Sequence, residues 1–295
     1  MFLVFSMSIS AAFSQQAMID SLTRELDRST QIDSQRVVTL VRLGYAYTNV
    51  DPAESRRLAN EVIILSQSLK IQNGEGTGHQ LLGISYAVQG NYPKALSAYI
   101  KAFEIRAEVK DTAGMAQNYS NIGGIYFNQG EYKTAKEYIE KALSLMLRKN
   151  DTMGLANTYH ALGLTLLELE RLTEARKVLE KSLTYHELSG ENSPYSSGIL
   201  QAIGEIYLEQ GKREQAHAFF DESIRKAEFI GDTRSYVNSA LYKSNLLIKN
   251  GDYEEAADLL NKIEPSANEA QLQREIIALH LQKSIRIFFK IDLHD

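Results

Sequence analysis

A recurrence near forty residues constrains this chain more than any other feature. Leu82-Gly83-Ile84-Ser85-Tyr86, Ile122-Gly123-Gly124-Ile125-Tyr126, Leu162-Gly163-Leu164-Thr165-Leu166 and Ile203-Gly204-Glu205-Ile206-Tyr207 align on their first glycines, which step by 40, 40 and 41 residues. Leu43-Gly44-Tyr45-Ala46-Tyr47 sits 39 residues earlier, and Ser244 and Ser284 continue the register at steps of 40. Seven residues past the small residue come Gly90-Asn91-Tyr92, Gly130-Glu131-Tyr132, Gly211-Lys212-Arg213 and Gly251-Asp252-Tyr253, with Glu170-Arg171-Leu172 in the fourth unit. Five further on lie Ala95, Ala135, Ala175, Ala216 and Ala256, and four beyond those Tyr99, Ile139, Leu179, Phe220 and Leu260. Ala102, Ala142, Ser182 and Ser223 mark a second small position. Such a chain folds as a stack of like units, each burying against its neighbours the apolar face it cannot bury alone.

Within a unit the spacing is helical. Tyr119, Ile122 and Tyr126 form one apolar stripe, and Ala135, Ile139, Ala142 and Met146 form the facing one. Gly123 and Ala135 are small where two antiparallel backbones approach closely. Gly130 suits the turn between them, where a positive φ is needed. Asp51-Pro52-Ala53-Glu54 has the order of an N-cap, a first-turn proline and a capping-box glutamate. Pro93 marks the start of a second helix. Asp111, Asp151 and Asp232, each followed by threonine, fall between units and cap the next first helix.

These motifs resemble the tetratricopeptide repeat: Leu/Ile-Gly-x-x-Tyr, then Gly-x-Tyr-x-x-Ala, then a large residue and a second small one. The longer period is similar to the subclass known from kinesin light chain and from bacterial peptide-responsive regulators. The resemblance covers residues 36–295 as six full repeats and the first helix of a seventh. It implies an all-α fold, a right-handed superhelical solenoid of antiparallel helix pairs. It also implies a non-catalytic scaffold whose concave groove takes a protein or peptide ligand.

Composition narrows the chemistry further. With 32 Lys+Arg against 37 Asp+Glu the net charge is −5, too mild for a nucleic-acid surface. The chain has no cysteine, which excludes a disulfide scaffold, thiolate zinc sites, iron–sulfur clusters and cysteine nucleophiles. His79, His160, His186, His217, His280 and His294 include no pair three or four apart, so no helical metal pair exists, and each is expected at the surface or in the groove. Gly74-Glu75-Gly76-Thr77-Gly78 follows a helix, lacks a Gly-Lys-Ser/Thr ending, and is expected to be a loop at a repeat junction, not a phosphate cradle. No Gly-x-Ser-x-Gly elbow or EF-hand spacing occurs. Asp221-Glu222 and Glu254-Glu255 suit helix starts or solvated faces. Lys141, Arg148 and Lys149 are expected near a helix end. The 16 tyrosines recur at repeat positions, as packing residues do. Nothing forms a nucleophile–base or metal constellation, so the expectation is no enzyme, no cofactor and no metal.

The two ends carry their own expectations. Residues 1–16 run from an apolar stretch into Ala12-Phe13-Ser14, the order of a secretory signal peptide, although no basic residue precedes Arg24. Residues 17–35 are then a helical lead-in, and the protein is expected to be periplasmic. The alternative is a cytoplasmic regulator or assembly adaptor with residues 1–16 as an ordinary helix. No stretch approaches the ~20 apolar residues of a membrane span. Near the other end, Ile285, Ile287, Phe288 and Phe289 are apolar where a solenoid needs a polar cap. That helix is expected either to self-associate or to continue into further repeats. The resemblance suggests continuation, because exported bacterial arrays of this kind often precede a signalling output.

Carried over by register, the groove positions are Gln80 in unit two; Gln117, Ser120, Asn121 and Asn128 in unit three; and Asn157, His160 and Glu168 in unit four. Unit five adds Gln201, Glu205 and Glu209, and unit six adds Asn238 and Asn245. Many are amides, which donate to and accept from a peptide backbone. Asn121 leads the set, since an asparagine ahead of the Leu/Ile-Gly pair grips ligand backbone in related domains. The competing expectation is a plain solvated helix face.

Overall fold

A helix leaves its first amides and last carbonyls without partners, and this chain supplies partners at a regular interval. Asp33, Asp111, Asp151 and Asp232 each accept the amide three residues on, at 2.9, 3.0, 3.0 and 3.2 Å. The computed structural model describes residues 9–28, 31–190, 193 and 195–292, with side chains from Gln15 to Ser284. Among the described residues there are fourteen helices and no strand. They are α1 (Ile9–Arg28), α2 (Ser34–Tyr47), α3 (Pro52–Ser68), α4 (Gln72–Val88), α5 (Tyr92–Glu108), α6 (Thr112–Asn128), α7 (Tyr132–Lys149) and α8 (Thr152–Glu168). There follow α9 (Leu172–Ser189), α10 (Ser196–Glu209), α11 (Arg213–Ile230), α12 (Thr233–Asn250), α13 (Tyr253–Glu269) and α14 (Gln273–Asp292). Even-numbered helices from α2 onwards are the first helices of pairs.

The turns obey local chemistry. Gly90, Gly130, Gly211 and Gly251 take φ of 73°, 77°, 73° and 89° between the helices of a pair, in the region where a side chain is strained. Asp51 caps α3 by accepting from the amides of Ala53 and Glu54, with Pro52 as its first residue. The expected capping box does not close. The Glu54 carboxylate takes the Arg57 guanidinium at 2.7 Å, and the Asp51 amide donates to the Tyr47 carbonyl at 2.8 Å. A bidentate cation one turn on outcompetes a single neutral amide.

The chain divides into two compact units, up to Leu169 and from Glu170. In the first, α2, α4, α6 and α8 pack side by side, each against the next. No second helix packs as closely on the next second helix among the described residues. The first-helix layer is therefore the crowded, inner side, and the second helices splay outwards. The second unit repeats the arrangement with α10, α12 and α14.

Small and large positions interlock in the core. Ala95, Ala135, Ala175, Ala216 and Ala256 are fully buried, as are Leu179, Phe220 and Leu260. A Cβ on Gly123 would lie 2.8 Å from Ile139 Cγ1 and 3.2 Å from the Ala135 carbonyl, so two backbones meet where only hydrogen fits. On Gly204 it would lie 2.7 Å from the Phe220 ring.

A second glycine register runs through Gly74, Gly114 and Gly154, at steps of 40. It overturns the expected loop at residues 74–78. Those residues form the first turns of α4, wedged between α3 and α5. A Cβ on Gly76 would lie 3.2 Å from Arg106 Cγ, and one on Gly78 would lie 2.6 Å from Ile63 Cγ1. On Gly154 it would lie 2.6 Å from Met146 Sδ. Each glycine makes room for a side chain near the end of a neighbouring second helix.

Three further expectations are placed by the fold. His186 is not a surface histidine. It is fully buried, with Nδ1 2.8 Å from Ser193 Oγ, because its register is that of Ser66, Arg106 and Met146, which face the next first helix. Lys141 lies in the middle of α7, its ammonium 4.7 Å from the Tyr138 ring centre, whereas Arg148 and Lys149 occupy the last turn. Helix α1 runs unbroken through residue 16, burying Ile19 and Leu22 against Val37, Leu40 and Leu43 of α2. The rest of the proposed leader, residues 1–8, lies outside the described residues, as do the side chains of Ile285, Ile287, Phe288 and Phe289. No helix among the described residues is long and apolar enough to cross a membrane.

Candidate peptide-binding surface

The inner face of the first unit is built by α4, α6 and α8. Helical periodicity puts Gln117, Ser120 or Asn121, and Asn128 along one side of α6, Asn128 two turns beyond Ser120 and Asn121. Gln117 and Asn128 are exposed and Ser120 and Asn121 half-buried; Asn157 is exposed and His160 half-buried on α8. The Ser120 hydroxyl oxygen and the Asn121 Nδ2 are shielded from solvent without a hydrogen-bond partner. An unmet polar group of this kind costs about 1–3 kcal/mol, and both atoms are closed to solvent, so a ligand meets them only once the side chains turn outward.

Two of the expected residues are engaged inside the protein. Gln80 is buried, and its Oε1 accepts from Arg106 Nη2 at 2.6 Å. Arg106, on the last turn of α5, also donates from Nη1 to the Gly114 carbonyl at 2.9 Å and to Asn118 Oδ1 at 3.1 Å. Burial lowers the Arg106 pKa, and Asp111, 3.7 Å from Nε, opposes that shift. Gln80 thus belongs to a joint between α4, α5 and α6. Glu168 is exposed but accepts the Tyr132 hydroxyl, a bond that holds the phenol above its usual range.

The second unit has its own polar group. Gln201 Nε2 donates to Glu205 Oε1 at 2.8 Å within α10, and the Tyr242 hydroxyl of α12 hydrogen-bonds the same carboxyl. Burial pushes the Glu205 pKa up; the two hydrogen bonds pull it down, and Glu209 nearby adds to the rise. Tyr242 is fixed by stacking on Phe220, ring centres 5.2 Å apart. Glu209 is exposed, and Asn238 and Asn245 are half-buried on α12. Tyr242 escaped the sequence reasoning because it looks like one more packing tyrosine. Among the described residues no group of three or more histidines or carboxylates is placed to hold a metal ion.

Several solved structures share the architecture. BtubC (BKLC) from P. vanneervenii superposes with a TM-score of 0.62 at 21% identity, covering 74% of this chain and 92% of that one. A Rap protein complexed with competence and sporulation factor gives 0.62 at 15% identity, covering 90% and 74%. A signal transduction ATPase with a tetratricopeptide repeat sensor, from Pyrococcus horikoshii, gives 0.65 at 16% identity, covering 92% of this chain and 43% of that one. At such identities the likeness shows the fold, an all-α TPR-like array of helix pairs. No curated protein matches the chain by sequence. The model of one family, the MalT-like TPR region, matches residues 86–291. Helix pairs, interlocked small and large positions and that match over most of the sequence together place the chain in the MalT-like TPR region family.

Proposed function

We propose that the protein is a non-catalytic scaffold that holds an extended peptide or protein segment on the inner face of its first helices. The observation that carries this is the row of amides on α6 and α8, of which Gln117, Asn128 and Asn157 are exposed. Amides match a peptide main chain, which offers one donor and one acceptor per residue. The Rap protein of similar fold is complexed with competence and sporulation factor, which supports a bound ligand as the task of such an array. The Pyrococcus protein pairs a tetratricopeptide repeat sensor with a signal transduction ATPase, which supports a sensor role; the reading preferred here puts that role in an exported bacterial signalling protein.

A second reading, a cytoplasmic peptide-responsive regulator or adaptor, is favoured by α1. Its Gln15 Nε2 donates to the Ala46 carbonyl at 2.7 Å, and the helix continues across the expected cleavage point. N-terminal sequencing of the protein from fractionated cells separates the two. A start between Gln15 and Ala17 in the periplasm supports export, and an intact Met1 in the cytosol supports the regulator.

The binding function is tested with peptides selected from a random-peptide display library on the wild-type protein. The Asn121→Ala, Asn157→Ala double variant is expected to bind them about tenfold or more weakly, the effect of one or two main-chain hydrogen bonds. Unchanged affinity in a variant with unchanged circular dichroism would overturn the proposal.

A further inference from the structure

Gly124 has no packing or conformational reason to be a glycine. It lies inside α6, and its φ is not positive. A Cβ built on it would meet nothing within 4 Å. Gly44, Gly78, Gly83, Gly123 and Gly204 differ, since a Cβ on any of them would strike a neighbouring helix. A glycine in a helix interior weakens the helix relative to alanine. At Gly124 that weakening is offset by nothing within the free protein.

Its surroundings point outward. Ser120 and Asn128 lie one turn before and one turn after it on the same face, and Asn121 lies beside Ser120. The register places Ile84 of α4 and Leu164 of α8 at the same position on the flanking first helices, and both are half-buried. Gly124 thus opens a gap in a row of otherwise large apolar residues. On the same face, Ser120 and Asn128 lie one turn to either side of the gap, and Asn128 is exposed.

We propose that Gly124 is a specificity-determining notch, which accepts one large apolar side chain of an extended peptide between Ile84 and Leu164. The peptide main chain on either side of that residue then meets Ser120, Asn121 and Asn128. The residues on either side, Ile84 and Leu164, are apolar, so the favoured occupant is an apolar residue. This inference rests on the proposed peptide-binding function and names the residue class that the surface selects.

The test uses the full chain and peptides selected on the wild type from a random-peptide display library. Selected peptides are expected to share one large apolar residue. Gly124→Leu fills the notch and is expected to lower their affinity at least tenfold. Replacing the shared apolar residue of the peptide by alanine should recover part of that loss in Gly124→Leu while weakening binding to the wild type. Gly124→Ala is expected to melt higher than the wild type, so stability and binding move in opposite directions. Peptides weakened by the Asn121→Ala, Asn157→Ala variant but indifferent to Gly124→Leu would overturn the notch and leave the binding function standing. Failure to select any peptide sensitive to either variant would overturn both. A lower melting temperature for Gly124→Ala would show a packing role and also overturn the notch.

Discussion

Neighbouring glycines in α6 show how much one residue's meaning depends on what faces it. Gly123 lies against Ile139 and the Ala135 carbonyl, so a methyl there must push two helices apart. Gly123→Ala is expected to destabilise the protein by about 1–3 kcal/mol, the usual cost of overpacking a core, as measured by urea unfolding. A titratable residue gives a second test at this scale. Burial raises the Glu205 pKa above its ordinary value of 4.5. Below that value the folded and unfolded chains are both protonated there, and the group costs nothing. As the pH rises past 4.5 the unfolded chain ionises first, so stability falls until the folded-state pKa is passed and then levels off. Glu205→Gln removes this loss while keeping an acceptor for Gln201 and Tyr242. It is expected to melt higher than the wild type at neutral pH, with the two melting temperatures converging as the pH falls below 4.5.

Elements of this chain begin and end for local reasons but join for non-local ones. The caps at Asp111 and Asp151 and the turns at Gly90 and Gly130 are visible in sequence because each involves residues a few positions apart. The joint at Arg106 is not visible in that way. Its guanidinium links α5 to Gln80 of α4 and to Gly114 and Asn118 of α6, as far as 26 residues along the chain. A 40-residue recurrence of Gly74, Gly114 and Gly154 was present in the sequence, but its reason lies in side chains of other helices. Arg106→Met places there the residue found one unit later, Met146, and leaves the oxygens of Thr77, Gln80, Gly114 and Asn118 without that donor. The expected loss is about 2–4 kcal/mol by chemical denaturation. Hydrogen exchange should quicken most in α4, α5 and α6.

Within each unit, contacts among the described residues run mainly between adjacent helices and between successive first helices. Stability in such an array approximates a sum of local and nearest-neighbour contributions. Damage should therefore stay local. Phe220→Ala, which empties a fully buried site against Gly204 and Tyr242, is expected to cost about 3–5 kcal/mol. Hydrogen-exchange mass spectrometry should show faster exchange in α10 to α13 and unchanged protection in α3 to α6. Uniform loss of protection would indicate one cooperative fold, with no nearest-neighbour independence.

The amino-acid order alone determined the helix pairs, their period, the small and large contact positions and the all-α repeat fold. Each of these follows from spacing along the chain, and helical geometry converts spacing into faces. Tertiary structure decided which polar residues on those faces are available. Gln80, Glu168, Gln201 and Asn121 all read as groove residues from the sequence. One is claimed by a buried guanidinium, one by a tyrosine hydroxyl and one by a carboxyl, and Asn121 keeps an unmet amide. That choice rests on side chains brought near by packing between helices, which no local spacing encodes.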